Sequence, residues 1–235
     1  MVSVYKKGKL VYEKGQVVPF SPPPVSPYLA EKVHDTFHLP RLTAEDFANH
    51  RPRGVIGMVP GQILTQDMGY AAEVDVGQDI LKMAVVERHK NTGHIGICYL
   101  KGYGLTAGAV ATSVSHDSHN IICVGANDGD MAFACNQIVK NHGGIVVVKD
   151  GQVVSELPLE IAGVMSSQPL TAVNEALERA KDAAYGLGGS RDIDPVMTLS
   201  FMGLPVIPPL RLTTRGVVAV LPQQFTRPTH FCSLA

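Results

Sequence analysis

The sequence predicts an α+β fold, a mostly antiparallel or mixed sheet with helices on its surface. Three observations predict it. Apolar runs of strand length crowd residues 53–125, with no helix-period segment between them. "GIVVVKDGQVVSELPL" carries Asp150-Gly151 between two alternating runs, which requires at least one antiparallel pair. Two helix-length patterns, 128–142 and 170–185, come late and do not alternate with strands as βαβ units would.

The elements follow in chain order. "VSVYKKGKLVYEKGQVV" (2–18) alternates around Lys7-Gly8, with a second turn at Lys14-Gly15, and reads as a small hairpin that needs a larger sheet to join. "PFSPPPVSPY" (19–28) is proline-rich and predicts extended chain. In "LTAEDF" (42–47), Thr43 is placed as an N-cap with Asp46 in the first turn of a very short helix. From Arg53 onward, "GVIGMVPGQILTQ", "DILKMAVVERH", "HIGICYLKG", "AGAVATSVS" and "NIICVGA" read as strands. Met131, Ala134, Cys135, Ile138 and Val139 then share one face of a helix over 128–142, capped by Asn127 or Asp128 and ended by Gly143-Gly144. A hairpin over 144–157 and a helix over 170–185, closed by "GLGGS", come next. Prolines cut "DPVMTLSFMGLPVIPPLRLTTRGVVAV" into a short helix or strand, an extended piece and a last strand. The expected organisation is a hairpin at 1–18, a proline-rich linker at 19–52 and one α+β domain at 53–235.

Composition narrows the function classes. With 45 % hydrophobic and 17 % charged residues among 235, the chain has ample material for a core. A net charge of −1 gives no reason to expect nucleic acid or an anionic membrane as partner. No apolar run approaches the ~20 residues of a membrane span, and the N-terminus has no apolar signal core, so a cytoplasmic protein is expected. Cys98, Cys123, Cys135 and Cys232 form no Cys-x-x-Cys pair, which argues against a zinc ribbon or a disulfide framework.

The densest polar cluster is "HDSHN": His116, Asp117, Ser118, His119 and Asn120 stand immediately before the apolar run Ile121–Val124. Histidine supplies a nitrogen ligand or a donor, aspartate orients a histidine, and asparagine offers the donor and acceptor pair that a nucleobase edge requires. Two histidines and one carboxylate fall short of a full metal set. A metal site, a substrate pocket and an ordinary polar turn all remain open on these residues. A second group, Glu87, Arg88, His89 and His94 in "ERHKNTGH", ends a predicted strand. Glu87 and His89 share parity and face one side if the strand persists; the alternative is a solvated hairpin tip. The glycines of "KGYGLTAGA" read as strand curvature, and Asp128 and Asp130 of "NDGDM" as helix-start carboxylates. Met197, Phe201 and Met202 read as core.

Several segments together resemble a known family. "ILKMAVVERH", "GHIGICYLKGYGL", "GAVATSVSHDSHNIICVGANDGDM", "GGIVVVKDGQVVSELPLEIAGVMS" and "DPVMTLSFMGLPVIPPLRLTTRGVV" resemble, in order, the C-terminal domain of bacterial adenine deaminases of the amidohydrolase superfamily. The N-terminal "VYKKGKLVYEKG" looks like the strand pair that closes the amidohydrolase β-sandwich. The resemblance implies hydrolysis of adenine to hypoxanthine and ammonia in purine salvage, with manganese or iron held on a (β/α)₈ barrel that begins with a His-x-His pair. This sequence has no His-x-His and no room for a barrel of ~250 residues. The implied chain is therefore the part after the barrel, as a fragment, a truncated product or one half of a split enzyme. No catalytic residue and no metal site are then expected in it, and the lone chain is expected to be inactive. Its partners are then adenine, a barrel in cis or in trans, and a second copy in a homo-oligomer. The resemblance marks only the segment "HDSHN"; its residues are read as a strand-end loop facing a purine pocket, with His116, Asp117, His119 and Asn120 as substrate-binding candidates and Glu87 and His89 as neighbours. The competing reading is that the cluster packs the domain against its barrel. The rival readings are a non-catalytic structural or oligomerisation module, and a self-contained metal hydrolase built on His116, Asp117, His119 and His89.

Overall fold

A computed structural model describes residues 2–19, 21, 23–221 and 224–226. Cys232, and Phe20 and Pro22 of the proline-rich stretch, lie outside the described residues. The chain forms two compact units, Met1–Lys32 and Val33–Ala235.

The first unit holds a three-stranded antiparallel sheet, β1 (Ser3–Lys6), β2 (Lys9–Glu13) and β3 (Gln16–Val17). Its two turns are those the sequence marks: Lys7-Gly8 and Lys14-Gly15 all have positive φ, the backbone that lets a two-residue turn follow the strand twist. Helix α1 (Pro27–His34) opens on a proline, which suits a first helical position, so the extended stretch ends earlier than the composition suggests.

The second unit is built on an eight-stranded sheet. Its strands are β4 (Arg53–Met58), β5 (Thr65–Ala71), β6 (Ile80–Val86), β7 (Ile95–Lys101), β8 (Ala109–Thr112), β9 (Ile121–Gly125), β10 (Gly144–Lys149) and β11 (Gln152–Pro158). The spatial order is β11-β10-β8-β9-β6-β7-β4-β5. Every pairing is antiparallel except β4 with β7, so the sheet is mixed, as expected for an α+β fold. Two sequence runs break where local chemistry interrupts them. Residues 54–66 do not form one strand, because Pro60-Gly61, with Gly61 at φ +69, turns the chain into the β4–β5 hairpin. The run ending at 115 leaves the sheet after Thr112, whose Oγ1 accepts the Val114 N–H at 3.0 Å.

Helices cover both faces, which is why the central strands are apolar on both sides rather than alternating. Helix α2 (Asp128–Lys140) lies on one face. Its Met131, Ala134, Cys135 and Ile138 pack with Ala84, Val86, Ile121, Cys123 and Phe47. Helices α3 (Leu170–Gly186) and α4 (Pro195–Phe201) cover the other, where Ala176, Ala180, Ala184 and Leu199 meet Leu81, Met83, Val85 and Val124. Within the stretch read as linker, Leu42 and Phe47 are buried against α2. The Thr43 N–H and hydroxyl both donate to the Asp46 carboxylate, at 2.7 and 2.8 Å, and Asn136 of α2 exchanges two hydrogen bonds with the Leu42 backbone.

A third sheet, β12 (Leu210–Thr213), β13 (Gly216–Leu221) and β14 (Gln224–Thr226), closes the body. It sits so near β7 that a Cβ on Gly96 would lie 1.8 Å from the Thr213 carbonyl oxygen. Arg211, fully buried, donates to Thr65 Oγ1 at 2.8 Å and to the Ile63 and Leu210 carbonyls. Among the described residues no helix is long and apolar enough to cross a membrane.

Candidate functional site

The loop from β8 to β9, residues 113–120, is held from several directions. Ser113 is buried; its N–H donates to the Gly144 carbonyl at 3.0 Å and its hydroxyl to the Gly163 carbonyl at 2.5 Å. The Ser115 hydroxyl is buried and has no hydrogen-bond partner among the described residues. It lies under Gly203, where a Cβ would meet it at 2.7 Å. The His116 N–H donates to the Ser200 carbonyl at 3.0 Å, and its ring lies 4.8 Å from that of Phe201, so the C-terminal end of α4 seats this histidine. The His116–Asp117 peptide is cis. The His119 N–H returns to the Ser115 carbonyl at 2.6 Å with His119 itself at φ +49, closing a tight turn.

The turn brings the two imidazoles together, centroids 5.9 Å apart and edge to face. Asp117 and Ser118 are exposed at its tip, His116 and His119 half-buried, and Asn120 buried. Nδ1 of His119 is enclosed and has no partner among the described residues. Burial lowers the His119 pKa below the ordinary histidine value; His116, Arg88 and His89 add to the effect and Asp117 opposes it.

The neighbouring strand end divides its roles residue by residue. Strand β6 stops at Val86, so the shared parity of Glu87 and His89 has no strand to act through. Glu87 turns onto its own loop. Its carboxylate accepts from the N–H groups of His89 (2.6 Å), Lys90 (3.0 Å) and Thr92 (3.1 Å) and from the Thr92 hydroxyl (3.0 Å). Burial alone raises its pKa, but these donors outweigh burial and hold it below the usual carboxylate value. His89 does reach the cluster: its Nε2 lies 2.7 Å from the Ser118 carbonyl oxygen. The Asn120 side chain accepts the Arg88 N–H at 3.3 Å, joining the two segments again.

Arg88 is the residue at this site whose weight the sequence did not reveal. It is 2 % exposed. Its guanidinium donates to the carbonyls of His119 (2.5 Å), Thr36 (2.7 Å) and Ala162 (3.0 Å), and lies 4.2 Å from the centre of the Phe37 ring. None of these partners is a carboxylate, and burial lowers its pKa to about 10. Its five fixed donors suit such a multi-carbonyl clamp, which a lysine cannot reproduce. The only advance signal was an arginine between two polar residues at a strand end.

The manganese or iron that the family resemblance implies does not fit these side chains. Among the described residues no group of three or more His, Cys, Asp and Glu is arranged to hold a metal ion. The arrangement instead offers hydrogen bonds: two imidazoles, an exposed carboxylate and loop carbonyls on a rigid turn. A separate polar cleft of about 450 Å³ opens beside the α2 N-terminus. There the buried Lys82 ammonium pairs with Asp128 and donates to the Phe47 carbonyl at 2.8 Å. The Tyr99 hydroxyl donates to the Ala72 carbonyl and accepts from Asn49, both at 3.0 Å.

Comparison with known proteins places these features in a family context. A family profile described as the adenine deaminase C-terminal domain matches residues 62–224. An adenine deaminase of Brucella abortus (strain 2308) is 44 % identical over 202 residues, 82 % of this chain and 35 % of the relative. One from Dehalococcoides mccartyi is 43 % identical over 227 residues, covering 92 % of this chain and 39 % of its own. One from Nitratidesulfovibrio vulgaris (strain DP4) is 43 % identical over 237 residues, 95 % and 40 %. The chain thus spans 35–40 % of the length of these relatives.

Proposed function

The chain belongs to the adenine deaminase C-terminal domain family, and on that premise we propose that it serves as the C-terminal portion of an adenine deaminase. The reaction is hydrolysis of adenine to hypoxanthine and ammonia in purine salvage, in the cytoplasm. The manganese or iron chemistry belongs to an amidohydrolase barrel supplied in cis or in trans, since the side chains described in this chain provide no ligand set. The contribution of this chain is the His116–Asn120 turn: His116, Asp117, His119 and Asn120 line the purine side of the assembled pocket, steadied by His89. Glu87 shapes the loop that carries His89 and acts on the pocket only through it.

One observation carries this reading. A rigid turn encloses His119 Nδ1 without a partner, although buried polar atoms in folded proteins are nearly always satisfied. A histidine kept at that cost serves recognition better than packing. The rival reading, a structural or oligomerisation module, draws on His116, whose N–H and ring are both occupied by the α4 terminus.

The test measures adenine-to-hypoxanthine absorbance for this chain alone and with a matching barrel, joined or mixed. The expected outcome is no turnover alone and turnover with the barrel. In that assembly, His119→Ala is expected to lower kcat/KM about tenfold to a hundredfold, the scale of one lost hydrogen bond to a buried polar group, with little change in melting temperature. Equal loss of activity and stability establishes the structural module instead.

A further inference from the structure

The inference rests on the reading of the His116–Asn120 turn given above and names the residue that sets its chemistry. Arg88 touches this turn twice, through its N–H to Asn120 and its Nε to the His119 carbonyl, and its other donors tie the turn to Thr36 and Ala162. A Cβ on Gly163 would stand 2.9 Å from Arg88 Nη2, so the chain leaves a glycine where the guanidinium passes. Among the described residues the hydrogen-bond partners of the guanidinium are all carbonyl or hydroxyl oxygens, and the Glu87 carboxylate favours its charge only from a distance, without an ion pair. A clamp needing only hydrogen bonds is served by neutral donors, and a buried charge is ordinarily matched by a carboxylate.

The state of the His119 ring follows from its surroundings. A protonated imidazole carries N–H on both nitrogens. An N–H at the enclosed Nδ1 finds no acceptor among the described residues, and the charge it would bring to the ring is disfavoured by Arg88. An unpaired buried N–H is rarer and costlier than an unpaired lone pair. The environment therefore selects the neutral tautomer with the proton on Nε2. We propose that Arg88 is a positioning residue that holds the His116–Asn120 turn so that His119 offers an Nε2–H donor, with Nδ1 bare, to a ring-nitrogen acceptor of the purine.

The lowered pKa of His119 agrees, with burial as the main cause. Four charged or titratable groups face it: His116 on the same turn, Arg88 and His89 from the β6 end, and Asp117 at the tip. Only Asp117 favours the cation, and it is exposed.

The experiment is nitrogen-15 NMR of the imidazoles in the full 235-residue chain, which needs no activity and so stands apart from the deamination assay. The wild type is expected to show His119 as the Nε2–H tautomer, staying neutral below the midpoint of an ordinary histidine. In Arg88→Met the His119 midpoint is expected to rise. In Arg88→Lys, which keeps the charge and loses the fork, the midpoint stays low while the ring resonances broaden or move. In the barrel assembly, R88K is expected to lose kcat/KM with the acidic limb of the pH profile unmoved, while R88M shifts that limb upward. An Nδ1–H tautomer in the wild type overturns the proposal even if neither variant folds. A His119 midpoint unchanged in a folded R88M overturns it as well. If the barrel assembly never deaminates adenine, the purine reading fails while the NMR result still decides the role of Arg88 toward His119.

Discussion

Asp130 and Gly151 are joined across the second unit: the Asp130 carboxylate, in the first turn of α2, accepts the Gly151 N–H at 2.8 Å and the Asp150 N–H at 3.3 Å. The same carboxylate accepts from the Asn127 side chain at 2.8 Å, and the Asn127 oxygen caps the helix at the Asp130 N–H. One side chain, 4 % exposed, thus fixes both the helix start and the β10–β11 turn. Asp130→Ala is expected to destabilise the chain by about 1–3 kcal/mol, the loss of charge-assisted hydrogen bonds that tie the helix start to the turn. Asn at this position, keeping one acceptor oxygen, is expected to lose less. Urea unfolding followed by circular dichroism measures both.

The Lys82–Asp128 pair is unequal. The Lys82 side chain is 7 % exposed and that of Asp128 28 %, so only the carboxylate can recover water if its partner is removed. Asp128→Ala leaves an ammonium buried with the Phe47 carbonyl alone and is expected to cost about 3–5 kcal/mol. Lys82→Met, which fills the same space without charge, is expected to cost less. Equal unfolding midpoints for the two variants would refute the asymmetry.

Glu87 gives a pH dependence of known sign. Its pKa is lower in the folded chain than the ordinary carboxylate value of 4.5, so its stabilising contribution is complete above that value. It disappears as pH falls from there through the lowered folded value. Glu87→Gln is therefore expected to be less stable than wild type at neutral pH, with the gap closing below pH 4.5. Denaturant midpoints across pH 3–7 are the measurement; a gap constant over that range contradicts the assignment.

Gly96 has no room for any side chain, its virtual Cβ falling 1.8 Å from backbone oxygen rather than from a movable side-chain tip. Gly96→Ala is expected to separate β7 from the β12–β13 turn and to lower the melting temperature more than Gly186→Ala, where nothing lies within 4 Å. Thermal unfolding of the two variants side by side decides it.

The elements read best from sequence were those whose cause is local. The α2 face of Met131, Ala134, Cys135 and Ile138, the Asp150-Gly151 turn and the α3 span rest on periodicity or on turn residues a few positions apart. The order of the eight strands was not legible, since the parallel β4–β7 pair joins segments some forty residues apart, with Val55 opposite Tyr99. The burial of Phe47 was hidden because a single aromatic in proline-rich surroundings has no period to betray it. At the site, "HDSHN" was visible as a composition anomaly, and its contact with His89 followed from two strand ends carrying polar residues. The shared parity of Glu87 and His89 applied only if the strand persisted, and nothing in the local sequence marks the stop of β6 at Val86. Arg88 stayed hidden because its partners are backbone carbonyls from positions 36, 119 and 162, which carry no sequence signature.

The roof that Arg211 and Thr213 place over β5 and β7 has a consequence for synthesis. Arg211 reaches back 146 residues to Thr65, and translation at about 5–20 residues per second separates their emergence by roughly 7–30 s. During that interval the nascent second unit presents an uncovered sheet face to the cell, while β1, β2 and β3 pair with one another within residues 3–17. The body of this protein is completed only once Arg211 has emerged, and the wait is a window for holding chaperones.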